Sequence, residues 1–242
     1  MAGGEANKSD LGVRAASAVV MLAAAGAALW LGGWLWRAFV ILLGAVILWE
    51  WQRLAVRFSS SMWSRSIWAV AGLIYVGVTV AALILLREIG WPIIVVLIVL
   101  IIATDIGAYF AGRAIGGPKI APRISPSKTW AGLAGGMVLA VISGLIALRF
   151  LADVSTEDPT VLDGASFAVL AVVAQAGDFF ESWMKRKAGV KDSSNFIPGH
   201  GGLFDRFDGL LAVVFVLSLI QAIGLLLPGT PTHTEVANVK YQ

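Results

Sequence analysis

Two pairs of carboxylates, Asp178 with Glu181 and Asp205 with Asp208, flank a loop rich in Lys, Arg and Gly. The stretch Gly177 to Asp208 holds four Asp, one Glu, three Lys and two Arg, with long apolar runs on both sides. Charge at a membrane edge is costly to bury, so such a cluster marks a site. Within each pair the acids are three residues apart, which on a helix puts them on one face. Carboxylates crowded in a poorly hydrated place repel one another, and a hard cation removes the conflict. Mg2+ takes one or two protein carboxylates and completes its shell with water and substrate phosphates, and a larger carboxylate set can hold two ions. The acids also have a simpler reading, in which Asp205 and Asp208 only complement the start of a helix. That accounts for one acid more easily than for four.

The bases sharpen the chemistry. Lys185, Arg186, Lys187, Lys191 and Arg206 are interleaved with the acids. A second polar stretch, 112–129, adds Arg113, Lys119, Arg123 and Lys128, with Ser125, Ser127 and Thr129 beside Lys128. Metal-type acids next to clustered bases suit a polyphosphate ligand, the metal bridging phosphates and the bases neutralising the remaining charge. Glycines at 116–117, 199 and 201–202 let backbone N–H groups approach phosphate oxygens. Lys185 to Lys187 also read as an orientation signal. His200, between glycines, reads equally as a general base, a phosphate donor or a loop-packing group. Asp105, with Thr104 and Tyr109 nearby, lies inside an apolar run and needs a partner or a water-filled pocket. Arg113, two turns on, is in reach of the same region.

The elements that must position these residues are membrane spans. The chain is 58% hydrophobic and only 14% charged, with a mean hydropathy of +0.84. A soluble domain carries about 25% charged residues, so the composition predicts a polytopic membrane protein. It has no cysteine, which excludes disulfides, thiolate catalysis and zinc-thiolate sites. A crossing needs about 20 apolar residues. Runs of that kind fall near 13–32, 34–51, 66–86, 91–111, 130–150, 164–183 and 209–227. The first is read as a retained span, joined to the second by a tight turn at Gly32-Gly33. Arg37 and Glu50 lie near the ends of the second run, where long side chains snorkel. The ten Trp are read mostly as interfacial anchors. The expected architecture is an all-α polytopic membrane protein of about seven to nine transmembrane helices, with a cytoplasmic-side active site between the last ones. Residues 1–104 form N-terminal spans and 105–242 a catalytic region. The tail after Leu227, with His233, reads as a short disordered end.

Lys and Arg set orientation. With seven spans and the N-terminus inside, 14 of the 18 bases fall on inner segments, and the loop from Asp153 to Asp163 has four acids and no base, as an outer loop should. The acid–base cluster then faces the cytoplasm.

Ser182 to Asp208, SWMKRKAGVKDSSNFIPGHGGLFDRFD, closely resembles the signature of the phosphatidate cytidylyltransferases (CDP-diacylglycerol synthases). Its fixed points are Ser182, Lys185-Arg186, Lys191-Asp192, Pro198 to Gly202, and Asp205-Arg206 with Asp208. Two weaker blocks agree, Asp105 to Arg113 and Ile124 to Trp130. One departure is Ala131, where the family often has an acid or amide after the Trp. The likeness covers about 105–215.

The resemblance implies the reaction of CTP with phosphatidate to give CDP-diacylglycerol and pyrophosphate in phospholipid biosynthesis, at a bacterial cytoplasmic (inner) membrane. It implies Mg2+, as one or two ions, and admits a monovalent cation such as K+. Read on this basis, Asp178, Asp205 and Asp208 are metal ligands, with Glu181 as a further one. Lys185, Arg186, Lys191, Arg206 and Lys128 meet the triphosphate or lipid phosphate, with Lys185 and Arg206 grouped with the acids as catalytic. Ser182, Ser125, Ser127, Thr129, His200, Gly201 and Gly202 are secondary contacts. The partners are CTP, phosphatidate and membrane lipid, with no nucleic acid; a homodimer is compatible. Two other classes compete. An ion-coupled transporter would use Asp105 and Asp178, but has no use for the basic loop. Another lipid phosphotransferase, such as a kinase, is disfavoured in its P-loop form because the chain has no Gly-x-x-x-x-Gly-Lys-Ser/Thr.

Overall fold

The structure is a computed structural model that describes residues 3–151, 160–197 and 201–226. Seven α-helices and one short hairpin make up the described chain: α1 (Gly3–Leu31), α2 (Gly33–Phe58), α3 (Met62–Ile89), α4 (Trp91–Ala114), β1 (Lys119–Ala121), β2 (Ser125–Thr129), α5 (Trp130–Leu151), α6 (Val161–Lys187) and α7 (Phe204–Leu226). Six of them, α2 to α7, are long and apolar enough to cross a membrane, and the chain is an integral membrane protein. In α1 the apolar segment is Val19–Leu31. The tail after Leu227 and most of the acidic loop before Asp163 lie outside the described residues.

Local signals explain the helix limits. Gly32 and Gly33 both have positive φ, 63° and 54°, so α1 turns into α2 across two residues, as the sequence leads one to expect. Ser61 caps α3 by accepting from the Ser64 amide, and Thr160 with Asp163 forms a capping box on α6. Between α4 and α5 the sequence reading has only a loop. The structure has an antiparallel hairpin, Lys119 opposite Thr129 and Ala121 opposite Ser125, with a bulge between. Pro118, Pro122 and Pro126 keep this segment out of a helix, and Pro126 sits in a two-stranded ribbon where a missing donor costs little.

Neighbouring helices pack as α4 on α5, α6 on α7, α2 on α3 and α5 on α6, while α3 also meets α7. Small residues bring backbones together, as membrane helices require in the absence of an interhelical hydrophobic drive. A Cβ on Gly107 of α4 would lie 2.5 Å from the Gly135 carbonyl oxygen of α5. A Cβ on Gly177 of α6 would lie 2.6 Å from both the Asp208 carbonyl oxygen and the Ala212 Cβ of α7. Gly177→Ala is therefore expected to cost about 1–3 kcal/mol by overpacking. The check is the thermal midpoint of the detergent-solubilised protein; an unchanged midpoint would mean the α6–α7 contact is not tight.

Two features depart from the sequence reading. Trp36 and Trp51 are buried rather than interfacial. Trp36 Nε1 donates to the Leu83 carbonyl at 3.0 Å, and Trp51 Nε1 to the Trp68 carbonyl at 2.8 Å. Trp51 stands among Trp68, Tyr75, Phe180 and Phe204, tying α2 to α3, α6 and α7. Glu50 does not snorkel: its side chain is fully enclosed.

Candidate active site

The C-terminal half of α6 carries Asp178, Glu181, Ser182 and Lys185 at spacings of three, four and seven, which form one stripe along the helix. The first turns of α7 carry Asp205 and Asp208 opposite that stripe. Because Gly177 lets α7 lie directly against α6, one carboxylate oxygen each from Asp178, Glu181 and Asp208 falls within 4.8 Å of the others. These three are a candidate metal centre. All donors are hard oxygens, which suits Mg2+ or a similar ion. Glu181 is buried, and its Oε1 has no hydrogen-bond partner among the described residues. A buried acceptor left unmatched is costly, and a cation beside it would remove the cost. The residues present thus fit a divalent ion.

Asp205, the fourth acid, is engaged elsewhere. Its Oδ1 accepts from Lys185 Nζ at 2.6 Å. Its Oδ2 accepts from the Ser193 amide at 2.9 Å, the Ser193 hydroxyl at 2.8 Å and the Gly202 amide at 2.8 Å. Asp205, in the first turn of α7, folds back to meet amides of the loop that precedes the helix. Lys185 spans the two groups, pairing also with Glu181 Oε2 at 2.6 Å.

On the other side of Asp178 is a second polar chain. Lys128, at the end of the hairpin, is ion-paired with Asp178, donates to Gln175 Oε1 at 2.8 Å and lies 4.9 Å above the Phe179 ring. Gln175 Nε2 donates to Asp105 Oδ1 at 3.1 Å. So Asp105 is partnered by Gln175 of α6 and not by Arg113, whose guanidinium instead donates to the Tyr109 hydroxyl at 3.2 Å. A cavity of about 450 Å³ opens here between α4, the hairpin, the start of α5 and α6. Asp105, Tyr109, Arg113, Lys119, Ser127, Lys128, Gln175 and Asp178 line it, with Thr129 and Gly132 at its wall. Its size is in the range of small-molecule sites. Asp178 belongs both to the carboxylate cluster and to the cavity wall, so the two are continuous.

The remaining expected residues are spread around this centre. Ser182 donates to Asp178 Oδ1 at 3.3 Å. Thr129 is buried and caps α5, its Oγ1 accepting from the Gly132 amide at 3.0 Å. Ser125 stands at the start of β2 and does not line the cavity. Arg186 Nε donates to the Ile124 carbonyl at 3.4 Å, joining α6 to the hairpin. Lys191 and Arg206 are exposed. Gly201 has φ 83°, and Gly202 supplies the amide that meets Asp205. His200 lies outside the described residues.

Sequence reasoning missed Glu50 and Gln175. Glu50 of α2 accepts from the Leu203 amide at 3.0 Å, the Phe204 amide at 2.6 Å and the Ser194 hydroxyl, and its Oε2 lies 3.2 Å from the Ser193 hydroxyl that it shares with Asp205. Its partners lie more than 140 residues away, so no local pattern could reveal them. A lone amide in the apolar sixth run, Gln175, was the one available hint for the second.

The model of the cytidylyltransferase family matches residues 56–223, well over half of the chain. A phosphatidate cytidylyltransferase of Brucella suis is 46% identical over 159 residues, covering 64% of this chain and 57% of that protein. The chain thus matches little more than half the length of that relative. The phosphatidate cytidylyltransferase of Rickettsia bellii is 34% identical over 227 residues, covering 90% of this chain and 94% of its own. That of Bacillus subtilis is 42% identical over 125 residues, covering 52% and 45%.

Proposed function

The chain belongs to the cytidylyltransferase family, and from that premise we propose that it transfers a cytidylyl group from CTP to phosphatidate, releasing pyrophosphate. The observation that carries this reading is the meeting of three carboxylates with a basic cavity at Asp178. The relatives' names supply the substrates. An oxygen of the lipid phosphomonoester forms a bond to the α-phosphorus of CTP while the bond to the pyrophosphate oxygen breaks. The second pKa of a phosphomonoester is about 6, so that oxygen is largely ionised at neutral pH and needs no strong base.

The protein's task is to align two anions and neutralise their charge. Lys128, Lys119 and Arg113 at the cavity would meet the triphosphate. Asp178, Glu181 and Asp208 would hold Mg2+, which supplies charge neutralisation and polarises the phosphoryl group under attack. Lys185 holds Glu181 and Asp205 in place. Twelve of the bases lie on or next to the C-terminal ends of α2, α4 and α6 and the N-terminal ends of α3, α5 and α7: Arg53, Arg57, Arg65, Arg113, Lys119, Arg123, Lys128, Lys185, Arg186, Lys187, Lys191 and Arg206. That asymmetry supports a cytoplasmic-facing site in a bacterial inner membrane, and α1 as a seventh span puts the N-terminus on the same side.

The test is conversion of phosphatidate to CDP-diacylglycerol by the purified protein with CTP and Mg2+. Product is expected to depend on CTP rather than ATP, and to disappear with a chelator and return with Mg2+. Turnover with ATP alone, or chelator-insensitive turnover, would overturn the reading.

A further inference from the structure

Glu50 lies outside the family match, which begins at residue 56, yet it reaches the loop that carries the signature. It is fully buried, from the last third of α2. Its two oxygens accept from the amides of Leu203 and Phe204, where α7 begins, and from the Ser194 hydroxyl, and share with Asp205 the single proton of the Ser193 hydroxyl. A buried carboxylate is tolerated when its charge is met in this way, and such a set of donors around one carboxylate is fixed as firmly as the acid. The Ser193 hydroxyl faces Glu50 Oε2 at 3.2 Å and Asp205 Oδ2 at 2.8 Å. Asp205 passes the connection to Lys185, and Lys185 to Glu181. One polar chain thus runs from α2 through the loop to the carboxylate cluster. Among the described residues of the loop, the side-chain hydrogen bonds to other elements converge on Glu50 and Asp205, beside apolar packing of Val190 and Leu203.

We propose that Glu50 is a positioning residue for the transfer reaction: it clamps the Ser193–Ser194 segment and the first turn of α7 so that Asp205 and Asp208 stand in register with Asp178 and Glu181. The proposal rests on the function given above, and α2 becomes part of the working site rather than a generic span. Glu50 touches no reacting atom. It sets where Asp208 stands, so its loss should act on turnover and metal use more than on CTP binding at the Lys128 cavity, which lies on the far side of Asp178.

The test compares Glu50→Gln, Glu50→Asp and Ser193→Ala in the full chain by kinetics and by amide exchange. Glu50→Gln replaces one acceptor with a donor facing N–H groups. Misplacing a catalytic group by about 1 Å can cost 10²-fold, so kcat should fall by about that factor, with KM for CTP within about threefold. Half-saturating Mg2+ should rise, and exchange at Leu203 and Phe204 should quicken at least about tenfold as local opening becomes easier. Glu50→Asp keeps both acceptors and should recover part of the turnover and of the protection. If Glu50→Gln does not fold, Ser193→Ala decides: it cuts the Glu50–Asp205 connection yet spares the bonds to Leu203 and Phe204, and should lower kcat about tenfold on the same geometric grounds. The proposal is overturned by any of three results. These are unchanged kcat in a folded variant, a fall in thermal midpoint with no change in kcat or Mg2+ dependence, or Glu50→Asp faring no better than Glu50→Gln. Exchange is measured without substrate, so slow exchange at Leu203 in Glu50→Gln would sink the clamp, whereas an inactive unsubstituted protein would sink the assigned reaction.

Discussion

Asp208→Asn should reduce CDP-diacylglycerol formation by about 10³-fold, equivalent to about 4 kcal/mol in the barrier, while leaving the fold intact. The substitution is nearly isosteric. Asn keeps an oxygen to accept from the Gly209 amide, which Asp208 Oδ1 meets at 2.7 Å, so the start of α7 should not change. What is lost is one negative charge from the set formed with Asp178 and Glu181. Metal-assisted charge stabilisation is worth several kcal/mol, and a three-carboxylate site deprived of one charge should keep little of it. Turnover and half-saturating Mg2+ are the readouts, with the thermal midpoint as control. Near-normal turnover at millimolar Mg2+ would remove Asp208 from the metal site.

Lys185→Met is the second large expected effect, and it acts by another route. Lys185 Nζ lies 2.6 Å from both Glu181 Oε2 and Asp205 Oδ1, and its side chain is only 13% exposed. Met has similar length and no charge, so packing is largely kept. Two carboxylates are then left facing one another without their shared cation. Breaking a buried ion pair on one side costs about 3–5 kcal/mol. The thermal midpoint of the detergent-solubilised protein should drop clearly, and turnover should fall at least 10²-fold as Glu181 and Asp205 move apart. Excess Mg2+ should restore part of the midpoint, because an ion at the carboxylates replaces some of the missing positive charge. A variant with unchanged midpoint and turnover would mean that Lys185 is a bystander. Arg186, one residue on, offers the contrast: it is exposed and reaches a backbone carbonyl, and its loss should cost far less.

The two residues also show what the local pattern could and could not convey. The spacing Asp178–Glu181–Lys185 places an acid, an acid and a base on one helical face, and the structure keeps them there. The spacing of Asp205 and Asp208 is the same as that of Asp178 and Glu181, yet the two side chains of α7 have different partners. Asp208 joins the carboxylate cluster, whereas Asp205 turns to the loop amides and Lys185. Helical periodicity is blind to this because it places two side chains on one face and says nothing of the loop amides and neighbouring helix that each then meets. Likewise Arg113 is near Asp105 in sequence, but an amide from another helix, Gln175, takes the contact.

By itself, the sequence determined the membrane class, since its apolar runs are too long and too pure for a water-facing core. It also carried the site's charge pattern, since the acids and bases that meet in the fold are dense and interleaved along the chain. The signature from Ser182 to Asp208 carried the family. Tertiary structure alone decided which carboxylates share a centre, because that depends on how α6 and α7 are rotated and how closely Gly177 lets them approach. It alone decided that Glu50 serves the loop, because a buried acid is defined by donors more than 140 residues distant. Charge and hydropathy are properties of each residue and can be read in order. Desolvation and partnership belong to pairs that only the folded chain brings together.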